Sequence, residues 1–133
     1  MAGYSGTPLP RKLGIRPGSR VLLAGAPAGF ELGELPGGVL VHRRAGIGPY
    51  DVILGFCPDR AALTRRFPGW RERLAIDGGL WLAWPKKSSG VPTDLGENAA
   101  RAYGLGQGLV DNKVAAIDGT WSGLRFVVRL ADR

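Results

Sequence analysis

Asp51-Val52-Ile53-Leu54-Gly55-Phe56-Cys57 is the stretch on which the fold turns. It is a continuous apolar run, bounded by Gly48-Pro49 before and Pro58-Asp59 after, as expected of a strand covered on both faces. Asp59 is placed to cap a following helix. Over residues 60–76 the apolar positions Leu63, Phe67, Trp70 and Leu74 form one amphipathic stripe, with Arg60, Arg65, Arg66, Arg71 and Arg73 mostly off it. Pro68 is expected to kink or split this helix. Asp77-Gly78-Gly79 reads as a turn and Leu80-Trp81-Leu82-Ala83-Trp84 as a second buried strand, closed by Pro85-Lys86-Lys87-Ser88-Ser89-Gly90. Strand, helix and strand in that order predict a parallel pair joined by a helical crossover.

Upstream, Val21-Leu22-Leu23-Ala24 predicts another buried strand, and Glu31-Leu32-Gly33-Glu34-Leu35 one or two helical turns whose acids suit the helix dipole. Val39-Leu40-Val41 predicts a short strand running into His42-Arg43-Arg44. Residues 1–12, with two glycines, two prolines and no apolar period, read as a tail or lead-in with one helical turn at Pro10–Leu13. Downstream, Asp94 and Glu97 form a D-x-x-E capping box for a helix with Leu95, Ala99 and Ala102 on one face. Leu109–Ile117 and Leu124–Leu130 are strand-like runs joined only by residues 118–123, hence an antiparallel hairpin. Together these predict one domain over 13–133: an α/β, three-layer Rossmann-like sandwich, its sheet mostly parallel with a C-terminal antiparallel hairpin.

Composition limits the chemistry. The 133 residues are 44% hydrophobic and 22% charged, which excludes disorder, and no apolar run approaches the roughly 18 residues of a membrane span. One cysteine, Cys57, and one histidine, His42, exclude an internal disulfide, a cysteine zinc cage and His-rich metal or triad sites. Cys57 reads as a small buried hydrophobe, since only His42 is available to activate it. The start of the chain lacks a secretory pattern, so a cytoplasmic location is expected. With 18 Lys+Arg against 11 Asp+Glu, the net charge of +7 predicts weak, non-specific attraction to nucleic acid and other anions.

Several stretches resemble a small bacterial family called domain of unknown function 3052. They are Ala2–Leu9, Leu13-Gly14-Ile15 with Pro17-Gly18, Trp84-Pro85-Lys86-Lys87, Leu109-Val110-Asp111-Asn112-Lys113-Val114 and Thr120-Trp121-Ser122-Gly123-Leu124-Arg125. A wider resemblance, carried by Gly18–Gly25, Tyr50–Leu54, Gly78–Leu82 and the terminal hairpin, is to class I methyltransferases. It implies a truncated methyltransferase-like fold with one strand–helix unit missing between His42 and Asp51. In such enzymes an acid and three glycines follow the first strand, around S-adenosylmethionine, and a second acid ends the second strand. Here Leu23, Gly25, Pro27 and Gly29 stand at the first set and Val41-His42-Arg43-Arg44 at the second. With both carboxylates absent and Pro27 lacking an N–H, S-adenosylmethionine is disfavoured as cofactor.

In an open parallel sheet ligands bind beyond the carboxyl ends of the strands. That rule selects Gly25, Gly29, Arg43, Trp84, Lys86, Lys87, Ser88 and Trp121 as candidate ligand-binding residues. The lysines and hydroxyls suit a phosphate or carboxylate, and the tryptophans a ring. The expected function is a non-catalytic module that binds an anionic small molecule, such as a nucleotide, or an anionic partner at the strand ends. The alternatives are a divergent S-adenosylmethionine-dependent methyltransferase and a basic module for RNA or an acidic protein. Trp121 and Leu124 beside an edge hairpin also suit a homodimer contact.

Overall fold

A computed structural model describes residues 6–133. The lead-in read over residues 1–12 and the resemblance over Ala2–Leu9 therefore fall partly outside the described residues. Six strands form one sheet: β1 (Arg20–Ala24), β2 (Leu40–His42), β3 (Tyr50–Phe56), β4 (Leu74–Pro85), β5 (Leu109–Ala116) and β6 (Trp121–Val128). Their spatial order is β2-β1-β3-β4-β6-β5. Pairing is parallel from β2 through β1 and β3 to β4, then antiparallel from β4 through β6 to β5. Three α-helices accompany the sheet: α1 (Leu9–Leu13), α2 (Arg60–Glu72) and α3 (Glu97–Gly106). Among the described residues no helix is long and apolar enough to cross a membrane.

This corrects the expectation of a three-layer, mostly parallel Rossmann-like sandwich. The molecule is a small α/β domain with a mixed sheet, and its second half is antiparallel. Only the β3-to-β4 connection between parallel strands carries a helix, α2. Residues 31–35, expected to be helical, are not. The 25–39 connection contains five glycines and two prolines, and this density of backbone freedom and missing donors prevents a helical ladder from propagating.

The two faces of the sheet are consequently covered by different material. On one, Leu22, Ile53, Leu80, Leu82, Leu124 and Phe126 pack with Leu63, Phe67 and Trp70 of α2 and Ala100 of α3. On the other, Val21, Leu23, Val52, Leu54, Phe56, Trp81 and Ala83 meet Leu13 at the end of α1, Ile15, and the coil residues Leu32, Phe30 and Leu35. The Trp81 indole N–H donates to Leu13 O at 3.1 Å and fastens α1 to this face. Both faces of β1, β3 and β4 are thus buried, which is why these strands read as continuous apolar runs.

Local readings fare unevenly. Asp59 caps α2, its carboxylate accepting the Ala62 N–H at 2.8 Å. α2 runs unsplit through Pro68 because Phe67 and Trp70 on either side are anchored in the core. It ends at Glu72, and Leu74 belongs to β4. Asp77-Gly78-Gly79 is strand rather than turn, and the β3–β4 register shifts between Tyr50 and Val52 to absorb it. The expected capping box at Asp94 does not form: Gly96 is the N-cap of α3, and Asp94 accepts the Arg60 N–H at 2.9 Å instead.

Candidate functional site

β4 ends beside β6, with Trp84 opposite Ser122 and Pro85 opposite Trp121, and the Lys86 N–H donates to Thr120 O at 2.9 Å. Asp118 shapes the hairpin turn by accepting the Thr120 and Trp121 N–H groups at 2.8 and 2.9 Å. After β4 the chain makes one 3₁₀ turn, Lys87–Ser89, then runs as coil to α3. Two side chains hold this coil down. The Thr93 hydroxyl donates to Pro58 O at 2.6 Å, and Leu95 is buried in the core beneath the helices.

These segments enclose a cleft of about 390 Å³ whose wall includes Trp84, Lys87, Thr93, Asp94, Glu97 and Ser122. Asp94 is engaged twice by Arg60, through its carboxylate at 2.9 Å and through its carbonyl, which accepts from Arg60 Nε at 2.9 Å. Glu97 pairs with Arg101 at 2.8 Å, and Arg101 also binds Asp111 at 2.9 Å. Those two hydrogen bonds raise the Arg101 pKa above the usual guanidinium value. Of the two wall acids, Glu97 therefore has a cationic partner, whereas the Asp94 carboxylate accepts a neutral backbone N–H.

The polar groups that lack a partner among the described residues are all donors or hydroxyl. They are the Lys87 ammonium, the Ser122 hydroxyl and the Trp84 indole N–H. Trp84 is only 5% exposed, yet no fully buried side-chain nitrogen or oxygen lacks a partner among the described residues, so its N–H retains contact with solvent. The N-cap of α3 is Gly96, which has no side chain to occupy the first N–H groups of the helix, and Glu97 and Gly96 both border the cleft. A wall of this kind can hold an anion.

Of the eight residues selected by sequence, only Trp84 and Lys87 meet in this cleft. Lys86 is half-buried beside it and Ser88 is exposed in the 3₁₀ turn. Trp121 projects to the opposite face, where its ring stands edge-on to Phe56 at 5.0 Å, and Phe30 meets Phe56 from another side at 4.9 Å. Gly25 lies under Arg66, whose guanidinium donates to Phe56 O at 2.7 Å. Gly29, at φ +81°, closes a turn in which the Phe30 N–H reaches Pro27 O. Arg66, Phe30 and Trp121 thus stand around Phe56 at the end of β3, while Gly25 and Gly29 themselves are exposed. Arg43 borders a separate cavity of about 400 Å³ with Glu31 and Leu32.

Ser122 and the start of α3 were missed as site elements. The hairpin pattern contains the signal for Ser122, because pairing across residues 118–123 brings it opposite Trp84; α3 needed the packing of Leu95 and the Arg60–Asp94 contacts.

His42 and Cys57 serve the fold. Tyr50 Oη accepts the Gly46 N–H at 2.9 Å and shares a hydrogen bond with His42 Nδ1 at 2.6 Å. Cys57 is fully buried, and burial pushes its thiol up to about 12 despite the opposing charges of Arg66 and Arg65. Among the described residues no group of three or more His, Cys, Asp or Glu side chains is placed to hold a metal ion. Compared with known proteins, the chain matches no protein-family model and no curated protein.

Proposed function

We propose that the protein is a non-catalytic, cytoplasmic binding module that takes a small anionic molecule, a phosphate- or carboxylate-bearing metabolite, in the cleft at the end of β4. The observation that carries this reading is the division of labour on the cleft wall. Glu97 is paired with Arg101 and the Asp94 carboxylate is occupied by the Arg60 backbone N–H, while Lys87, Ser122 and the Trp84 N–H are left to meet a ligand. A single mobile ammonium with two neutral donors suits one anionic group better than a polyanion. On the sequence resemblance alone, we also propose membership of the family called domain of unknown function 3052.

The test is calorimetric and thermal-shift titration with inorganic phosphate, adenosine monophosphate and citrate at constant ionic strength. At least one should bind saturably. Lys87→Glu should abolish that binding and Ser122→Ala weaken it about tenfold, the loss of one charge-assisted hydrogen bond. Arg43→Glu, on a separate cavity, should leave it unchanged. Saturation by none of the three, or equal binding by Lys87→Glu, overturns the proposal.

A further inference from the structure

The α1 helix and the turn after it face the coil at residues 34–36 across a cavity of about 700 Å³. Four of its lining residues, Pro8, Pro10, Pro17 and Pro36, are prolines with φ fixed by their rings. Backbone hydrogen bonds tie its walls together. The Gly18 N–H donates to Gly37 O at 2.9 Å, the Ile15 N–H to Pro10 O at 2.9 Å, and the Ser19 N–H to Arg16 O at 3.0 Å. Trp81 fastens the end of α1 to the sheet. The cavity is therefore formed before anything enters it, and its volume falls within the about 300–1,000 Å³ of small-molecule sites.

The charges of this cavity are divided between its two sides. Arg11 and Arg16 come from the α1 side and Glu34 from the facing coil. All three are exposed, and among the described residues none of these side chains forms a hydrogen bond or an ion pair. The tethered backbone holds the two guanidinium groups and the carboxylate apart. Neighbouring charges are committed or lie off the wall. Lys12 donates to Ala116 O at 3.2 Å, Lys113 reaches toward Lys12 O at 3.5 Å, and Arg133 donates to Val128 O at 2.9 Å. Glu31 and Arg43 line the separate cavity on the other side of Leu35, and neither Asp77 nor Arg125 borders this one.

We propose that this cavity binds an amino-dicarboxylate, an acidic amino acid or an acidic dipeptide, with its two carboxylates on Arg11 and Arg16 and its ammonium on Glu34. Such a molecule carries two negative charges and one positive charge, the complement of the wall. Each guanidinium offers a planar fork to a carboxylate, and Glu34 accepts from the ammonium. The Glu34 carboxylate repels simple dicarboxylates and phosphates, so the site selects for the ammonium. The proline rings and Leu35 supply apolar surface for the carbon chain between the charged groups.

The experiment titrates L-glutamate and the dipeptide alanyl-glutamate into the full chain by calorimetry at constant ionic strength and neutral pH. The controls are glutarate, which lacks the ammonium, and L-glutamine, which lacks the second carboxylate. At least one of the two amino-dicarboxylates should bind saturably, and both controls about tenfold more weakly. Binding of glutamate assigns the cavity to a free amino acid, and binding of the dipeptide alone assigns it to a peptide. Arg11→Gln and Arg16→Gln, both at exposed positions, should each weaken binding about tenfold. Glu34→Gln should remove the preference over glutarate, a change that a loss of folding would not produce. Lys87→Glu, in the β4 cleft, should bind as the wild type does, so failure of one site is distinguishable from failure of the other. Saturation by neither amino-dicarboxylate, glutarate binding as tightly as glutamate and the dipeptide, or binding undiminished in both arginine variants overturns the proposal.

Discussion

Cys57 closes β3 with its sulfur wholly buried, and its titration is a property of that position. Burial raises the folded-state pKa from 9.0 to about 12, so the native protein retains a proton that the unfolded chain releases. The resulting stability is fully present below about 9 and is lost as pH rises toward about 12. Urea-denaturation midpoints across that interval should fall more steeply for the wild type than for Cys57→Ala. In the native state the thiol should also resist a disulfide reagent below pH 9.0 until denaturant is added. At this scale the sequence was informative where a residue acts on its near neighbours. Asp59 was legible as a cap because its partner, Ala62, lies three residues on. Asp94 was not, since its carboxylate is claimed by Arg60, thirty-four residues away in the chain.

At the scale of elements, α2 lies so close to β3 that a Cβ on Gly55 would stand 2.5 Å from Trp70 Cη2 and 2.6 Å from its Cε3. Gly55→Ala should cost about 1–3 kcal/mol, the usual penalty for overpacking, read by chemical denaturation. Combined with Trp70→Leu, the loss should be smaller than the sum of the single changes, because both act on one contact. The apolar stripe of Leu63, Phe67 and Trp70 announced this helix, and all three are buried. Its end was misplaced because Leu74 continues the same spacing while pairing with Tyr50 in the sheet. Likewise Asp77-Gly78-Gly79 has turn chemistry but is held extended between neighbouring strands. The cleft divides in the same manner. Trp84 and Lys87 stood out by residue type and position, whereas Ser122 enters by cross-strand register and α3 by packing.

Across the whole molecule the sheet separates two unlike coverings, helices on one face and mostly coil on the other. In the 26–36 segment the backbone N–H of Phe30 bonds within its own turn, and the stretch contributes no ladder to the sheet. Hydrogen exchange should therefore open these amides at a lower free energy than those of β3 and β4, which pair on both sides. Comparable protection in the two regions would count against this account of the coil-covered face. The sequence by itself determined the buried centres of the strands and that the last two form a hairpin, but not the first half of β4. Apolar runs and turn residues encode those properties locally. Only the tertiary structure decided what covers each face, how the antiparallel half of the sheet is ordered, and which charges lose their partners. Each of these depends on contacts between residues far apart in the chain, and no local pattern of residue types records such a contact.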